Sequence, residues 1–230
     1  SSIAFNRNIS QNKILCEGIE NVNSTDIFYE KKFNYKIKLL SISEIIKRDN
    51  FYKDPDSIRE YAQTLEYDPR HIQGAVGFRT SNTHIFDGTK EYFEKLLGKK
   101  IVSGDGIGGW DYNTNGAFQY CRAEDPSVIH CDDQSHGGVI YLTPNAPLQS
   151  GTEFWKHKET GKIDIYDDNW DFFKGNFYDK TPFEMTDHVG NVYNRLVLWD
   201  ARKIHSGVNY FGDDINNSRL FQIFFFSVEE

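Results

Sequence analysis

Residues 130–138 read HCDDQSHGG. On an extended strand, side chains two apart share a face, so His130 and Asp132 can grip one cation between them. Cys131 and Asp133 fall on the opposite face. Cys131 reads as a strand residue turned away from the site, and Asp133 as a turn or supporting group, unless a bulge exchanges the two aspartates. Far downstream, NRLVLWDARKIHSGV carries another histidine, His205, near the end of an apolar strand. Two imidazoles and one carboxylate leave coordination positions open, and that donor set suits ferrous iron that must take up further ligands.

Arg219 follows His205 by fourteen residues, at the mouth of the apolar run NNSRLFQIFFF. A guanidinium entering such a strand needs an anion, and a carboxylate held by two parallel hydrogen bonds is its natural partner. The remaining polar candidates are less tied together. His136, in the loop before Gly137 and Gly138, reads as solvent-exposed or as a substrate contact. Arg79, Glu153, Trp155 and Arg202 are substrate-side candidates that also fit ordinary surface positions. His71, His84, His157 and His188 read as structural. Gly104, Gly106 and Gly109 match a dinucleotide fingerprint, but the turn-rich WDYNTNG follows where that fingerprint needs a helix.

These residues must be held by a β-rich core. Rings are abundant, 18 Phe, 13 Tyr and 4 Trp against one Met, and they favour pleated surfaces over helix bundles. Two helices come first. Asp54 is a good N-cap, Pro55 suits the first helical position, and Ile58, Tyr61, Ala62 and Leu65 repeat at helical spacing. A second helix spans about 88 to 97, with Tyr92, Phe93, Leu96 and Leu97 on one face and Gly98 as its stop. Strands are expected at 117–121, 138–143, 152–155, 194–199 and 219–228, with another in NYKIKLLSI. Helices followed by a succession of strands predict a sandwich or jelly roll with helices on one side.

At 230 residues one domain is the default, and 1–230 divides into an N-terminal segment (1–49), helical support (50–100) and a β core (101–230). Residues 156–190 are long for a structureless loop and read as a lid or substrate wall. A formal charge of −8 repels phosphate backbones, so no general nucleic-acid binding is expected. The start has no apolar leader and no apolar run could span a bilayer, which together predict a cytoplasmic protein without membrane contact. Cys16, Cys121 and Cys131 read as free thiols of a reducing compartment. The N-x-S/T matches carry no weight in that context.

From about residue 50 to the end, the ordered set His130-Cys131-Asp132, His205 and Arg219 resembles the Fe(II)/2-oxoglutarate-dependent oxygenase superfamily. The likeness is to small prolyl-hydroxylase-like members, some of them found in phage and marine bacterial genomes. FYKDPDSIREYA and GFRTSN resemble an uncharacterised branch of the same family. The resemblance implies a mainly β fold, a double-stranded β-helix (jelly roll) with flanking N-terminal helices. It implies His130, Asp132 and His205 as catalytic Fe(II) ligands, and Arg219 as the partner of the distal carboxylate of 2-oxoglutarate. Tyr120, with Tyr141 as competitor, would hydrogen-bond the same cosubstrate. O2 and 2-oxoglutarate would be consumed and succinate and CO2 released as a C–H bond of an amino acid, peptide or protein residue, or small metabolite is hydroxylated. Asp132 stands where family members that halogenate have a small residue, which points to hydroxylation. Two other readings share the histidines. A cupin-like metalloenzyme not using 2-oxoglutarate gives Arg219 no purpose, and a non-catalytic jelly-roll binding or structural protein has no need of intact ligands. Oligomeric state is not legible.

Overall fold

Asp54 opens the first helix as its type predicts: the carboxylate accepts the backbone N–H of Ser57 at 3.1 Å, and Pro55 leads a helix that spares it a hydrogen bond. This helix, α1, is Pro55–Gln63, and a second, α2, is Thr89–Leu97. The computed structural model describes residues 45–70, 76–166 and 176–230, and all of them belong to the unit Ser43–Glu230. The strand expected in NYKIKLLSI, Cys16, His71 and the middle of the 156–190 stretch lie outside the described residues.

The strands in chain order are β1 (Ile46–Arg48), β2 (Asp68–Pro69), β3 (Phe78–Arg79), β4 (Phe118–Cys121), β5 (His136–Tyr141), β6 (Thr152–His157), β7 (Phe183–Val189), β8 (Leu196–Trp199), β9 (His205–Gly207) and β10 (Arg219–Phe226). A seven-stranded sheet has the order β1-β8-β5-β10-β4-β3-β2, and a three-stranded sheet the order β7-β6-β9. The backbone of His130 extends the smaller sheet by pairing with His205. From β4 onward the chain therefore passes between the sheets, from β4 to the 130 segment, back to β5, across to β6 and β7, and then β8, β9 and β10 in alternation. All the pairings are antiparallel, and the result is a double-stranded β-helix with helices against its larger sheet.

Parity sorts the side chains into two cores. On β10, Leu220, Phe224 and Phe226 join Phe118, Leu196, Leu198 and the helix residues Ala62 and Phe93 on one face. Phe221 and Ile223 join Val139, Tyr141, Phe154, Val197 and Trp199 between the sheets. Because helices cover one face and the small sheet the other, β10 is buried on both sides. That double burial is why RLFQIFFF reads as a nearly continuous apolar run rather than an alternating one. Phe93 is fully buried and meets Phe224 at 5.0 Å and Phe226 at 5.6 Å, an anchor of about 2 kcal/mol or more from ring burial.

Gly98 ends α2 in the left-handed region, φ 66°, with nothing near the position a Cβ would take. Gly98→Ala should therefore lose about 1 kcal/mol through backbone strain alone, read from urea unfolding.

The Gly104–Gly109 stretch runs through turns into buried Trp110, and no helix follows it. Several strands escaped the sequence pattern. β2, β3 and β9 are two or three residues long, below the length at which alternation can be recognised. β7 alternates poorly because its central residues are exposed on the edge of the small sheet. The stretch expected as a lid over 156–190 is thus partly framework: it begins inside β6 and takes in the whole of β7, and Asp164 bridges to Lys203 between them. Among the described residues no helix is long and apolar enough to cross a membrane.

Candidate metal centre

His130 and His205 face each other across the smaller sheet. Each backbone N–H donates to the other's carbonyl, at 3.0 Å and 2.8 Å, so the two residues are directly opposite and their side chains leave the sheet on the same side. Their ring centroids are 4.3 Å apart. Asp132 lies beyond the pairing, where its N–H donates to the Ala201 carbonyl at 2.9 Å and its side chain returns toward both rings. Oδ2 lies 3.3 Å from His205 Nε2, and Oδ1 lies 3.9 Å from His130 Nε2. One donor atom from each of the three residues falls within 4.8 Å of the others. Ligands at about 2.1 Å on adjacent octahedral positions stand roughly 3 Å apart, so small side-chain adjustments would close this set on one ion.

The tautomers follow from the second nitrogens. His130 Nδ1 lies 3.1 Å from the Val128 carbonyl and His205 Nδ1 lies 2.7 Å from the Lys203 carbonyl. A carbonyl can only accept, so each Nδ1 carries the proton and each Nε2 presents a lone pair. Burial, reinforced by His205, pushes His130 down to about 4, which keeps its imidazole neutral. Burial opposes the charge on Asp132, but the facing imidazoles and Arg79 outweigh it and hold the carboxyl below the usual range. Two imidazole Nε2 atoms and an ionised carboxylate thus converge, and Asp132 Oδ2 is buried without a hydrogen bond. A protein tolerates such a cluster when a cation completes it, and neutral imidazoles with one carboxylate fit Fe(II).

The same cavity reaches Arg219. It is bounded by His130 and His205, by Arg219, and by side chains including Tyr210 and Phe221. Arg219 is buried at 2% exposure and forms no ion pair among the described residues. Its Nε donates to the Ser150 carbonyl at 2.8 Å and one Nη to the Gly151 carbonyl at 3.2 Å, and the rings of Phe221, Tyr141 and Tyr210 surround it at 4.4, 5.2 and 5.4 Å. A fixed, desolvated cation of this kind awaits an anion.

The two tyrosines proposed as cosubstrate contacts separate. Cys121 pairs with Arg219 across β4 and β10, so Cys121 shares its face and Tyr120 takes the other. Tyr120 stacks on Phe78 at 4.9 Å on the helix side, which removes it from the cavity. Tyr141 stays beside Arg219, and its hydroxyl exchanges a hydrogen bond with Thr152 Oγ1 at 2.8 Å. Tyr210 is the residue that sequence reasoning missed. It is half-buried, lies over Arg219 and crosses Gly207 so closely that a Cβ there would come within 2.7 Å of its hydroxyl. Only that His205-Ser206-Gly207 sequence, with a glycine leaving room, could have pointed to it.

Of the substrate-side candidates only Arg79 lines the cavity. Glu153 lies near Lys180 and His188, at 3.9 Å and 3.7 Å, Lys180 also sits over the Trp155 ring, and Arg202 covers Tyr166. Cys131 is buried with Ile129, Ile165, Phe183 and Ile204, turned from the cavity, and Asp133 is exposed. Cys121 and Cys131 are free thiols.

His136 is neither loop nor exposed: it begins β5, stacks on Phe226 at 5.4 Å and shares a hydrogen bond with Ser135. Burial pushes it from 6.5 down to about 4, with Lys99 adding repulsion. Between those values the unfolded chain holds a proton that the folded one excludes, so stability is full above pH 6.5 and falls toward pH 4. The decline due to this ring is on the order of 2 kcal/mol. His136→Phe should remove that part of the acid sensitivity, measured as the difference in urea unfolding free energy between about pH 7 and about pH 4.5.

No family model matches the sequence, and no curated protein matches it. Solved structures of low identity are similar. One is a prolyl hydroxylase from Trichoplax adhaerens in complex with a hypoxia-inducible factor oxygen-degradation-domain peptide, at 10% identity over 86% of this chain and 90% of that one, TM-score 0.46. Another is HygX from Streptomyces hygroscopicus with nickel, 2-oxoglutarate and hygromycin B bound, at 8% identity over 80% and 83%, TM-score 0.48. A third is a prolyl-4-hydroxylase from Pseudomonas putida, at 11% identity over 82% and 95%, TM-score 0.40.

Proposed function

We propose that this chain is an Fe(II)- and 2-oxoglutarate-dependent dioxygenase that hydroxylates a C–H bond. The observation that carries the reading is one cavity bounded both by His130 and His205, two members of the His130–Asp132–His205 set, and by Arg219, a buried guanidinium with no carboxylate partner among the described residues. The overall reaction consumes the substrate, O2 and 2-oxoglutarate and yields the alcohol, succinate and CO2.

Each residue has a physical task. The Val128 and Lys203 carbonyls fix the tautomers of His130 and His205, so both Nε2 atoms are ready to bind metal without losing a proton. Asp132 supplies the one charge that holds the ion, and three protein ligands leave the remaining octahedral positions for other groups. Fe(II) bound there would supply coordination sites for the oxoacid and O2, and the electrons that activate O2. Arg219, locked by the Ser150 and Gly151 carbonyls, would receive the far carboxylate of 2-oxoglutarate with its remaining N–H groups. The surrounding rings of Phe221, Tyr141 and Tyr210 exclude water and strengthen that ion pair.

The test is succinate release from purified protein given anaerobic Fe(II), then 2-oxoglutarate and O2. Slow release is expected without added substrate, and none when iron is withheld. Absence of succinate under every condition, together with absence of 2-oxoglutarate binding, would remove the reading.

A further inference from the structure

The cavity contains a second guanidinium with no task in the reaction above. Arg79 pairs with Gln119 across β3 and β4, and Gln119 shares the inward face of Cys121, so the strand register carries Arg79 into the cavity. Arg79 Nε donates to Gln119 Oε1 at 2.7 Å. Gln119 is itself buried and held, its Nε2 donating to the Val76 carbonyl at 2.7 Å. The two Nη groups of Arg79 have no hydrogen-bond or ion-pair partner among the described residues. Asp68 stands opposite Arg79 on β2, but its carboxylate accepts from Ser81 Oγ instead. Burial depresses the Arg79 guanidinium to about 10, Arg70 adds to the fall and Asp132 opposes it, so the group stays charged at neutral pH.

Charge in the cavity points the same way. Arg79, Arg219 and Fe(II) against Asp132 leave three positive charges, and the 2-oxoglutarate dianion removes two of them. One positive charge remains in a cavity with apolar walls that include Val76, Val128, Val139 and Ile223. Such a charge is stabilised by one further anion carried on an otherwise apolar body.

We propose that Arg79 binds the carboxylate of the substrate, and that the substrate is a small carboxylic acid with an apolar chain, free aliphatic amino acids among them. The assignment rests on the iron and 2-oxoglutarate reading. Gln119 acts as the brace: by occupying Nε it leaves the two Nη groups free to take both oxygens of one carboxylate. With the acid end held at Arg79 and the chain along the apolar wall, carbon–hydrogen bonds rather than heteroatoms face the open side of His130 and His205.

The experiment is anaerobic calorimetry on protein loaded with Mn(II) and 2-oxoglutarate, which cannot turn over. Aliphatic L-amino acids and simple carboxylic acids from acetate to hexanoate are titrated in, each against its carboxamide. At least one acid should bind, with its amide weaker by about thirtyfold or more, the loss expected when a charge-assisted pair is replaced. In Arg79→Met the acid and its amide should bind alike. The same should hold in Gln119→Glu, which hands the guanidinium an internal carboxylate while preserving shape. Binding of no acid, a preference for the amide, or an acid preference that survives in Arg79→Met would overturn the assignment. If 2-oxoglutarate itself fails to bind the Mn(II) protein, the cosubstrate reading falls and this one with it. Intact 2-oxoglutarate binding without acid preference overturns the substrate assignment alone.

Discussion

Asp132→Ala should weaken metal binding by at least about a hundredfold, while Asp133→Ala leaves it unchanged. Asp132 is the carboxylate of the set and lies close to both imidazoles. Asp133 is exposed. The pair of variants separates ligation from general damage, because the folded state predicts little change in stability. Asp132 Oδ2 is buried without a hydrogen bond, while the neighbouring His130, His205 and Arg79 favour its charge. Removing the carboxylate relieves an unsatisfied group and forfeits that attraction, each on the order of 1 kcal/mol, so the metal-free variant should stay close to wild type in stability. Metal affinity is read by competition with a chromogenic chelator and stability by urea unfolding. Loss of both together would mean that Asp132 serves the fold rather than an ion.

Arg219→Met should lower 2-oxoglutarate affinity by about a hundredfold with metal affinity kept, read by calorimetry on Mn(II)-loaded protein. The figure follows from losing a bidentate, charge-assisted pair worth about 3 kcal/mol. Methionine keeps most of the volume between Phe221, Tyr141 and Tyr210, so the rings need not collapse. The substitution also strips donors from the Ser150 and Gly151 carbonyls, and stability should fall by about 1–2 kcal/mol. Arg219→Lys should recover only part of the affinity, since an ammonium supplies the charge without the planar fork. Unchanged 2-oxoglutarate binding in both variants would show that the guanidinium has another purpose.

The site was legible where spacing alone sets geometry. His130 and Asp132 are two apart, and any extended backbone brings them to one side, even though the segment proves to be a single bridge rather than a full strand. Arg219 was marked by its chemistry, a cation at the head of an apolar run. Both helices were legible because Asp54 and Gly98 signal their ends. Register was not legible. Tyr120 and Gln119 are neighbours in sequence, and only the pairing of Cys121 with Arg219 shows that Gln119 faces the cavity and Tyr120 the helices. A one-residue change in register exchanges every side chain between faces, so a tyrosine placed by distance along the chain has an even chance of pointing the wrong way. Arg79 was singled out as a residue type, but its position beside the metal set depends on β3 adding to β4 at long range. His136 was misjudged because glycines behind it suggested a loop. In fact Gly137 and Gly138 lie inside β5, and a Cβ on them would press on Trp199 and Leu198.

The most direct measurement is calorimetric titration of 2-oxoglutarate into anaerobic protein with and without Fe(II). One equivalent should bind when the metal is present, and binding should be lost when it is removed, because the oxoacid end needs the ion held by His130, Asp132 and His205 while Arg219 holds only the other carboxylate. Absence of binding in the iron-loaded protein, or equal binding in its absence, would contradict the account.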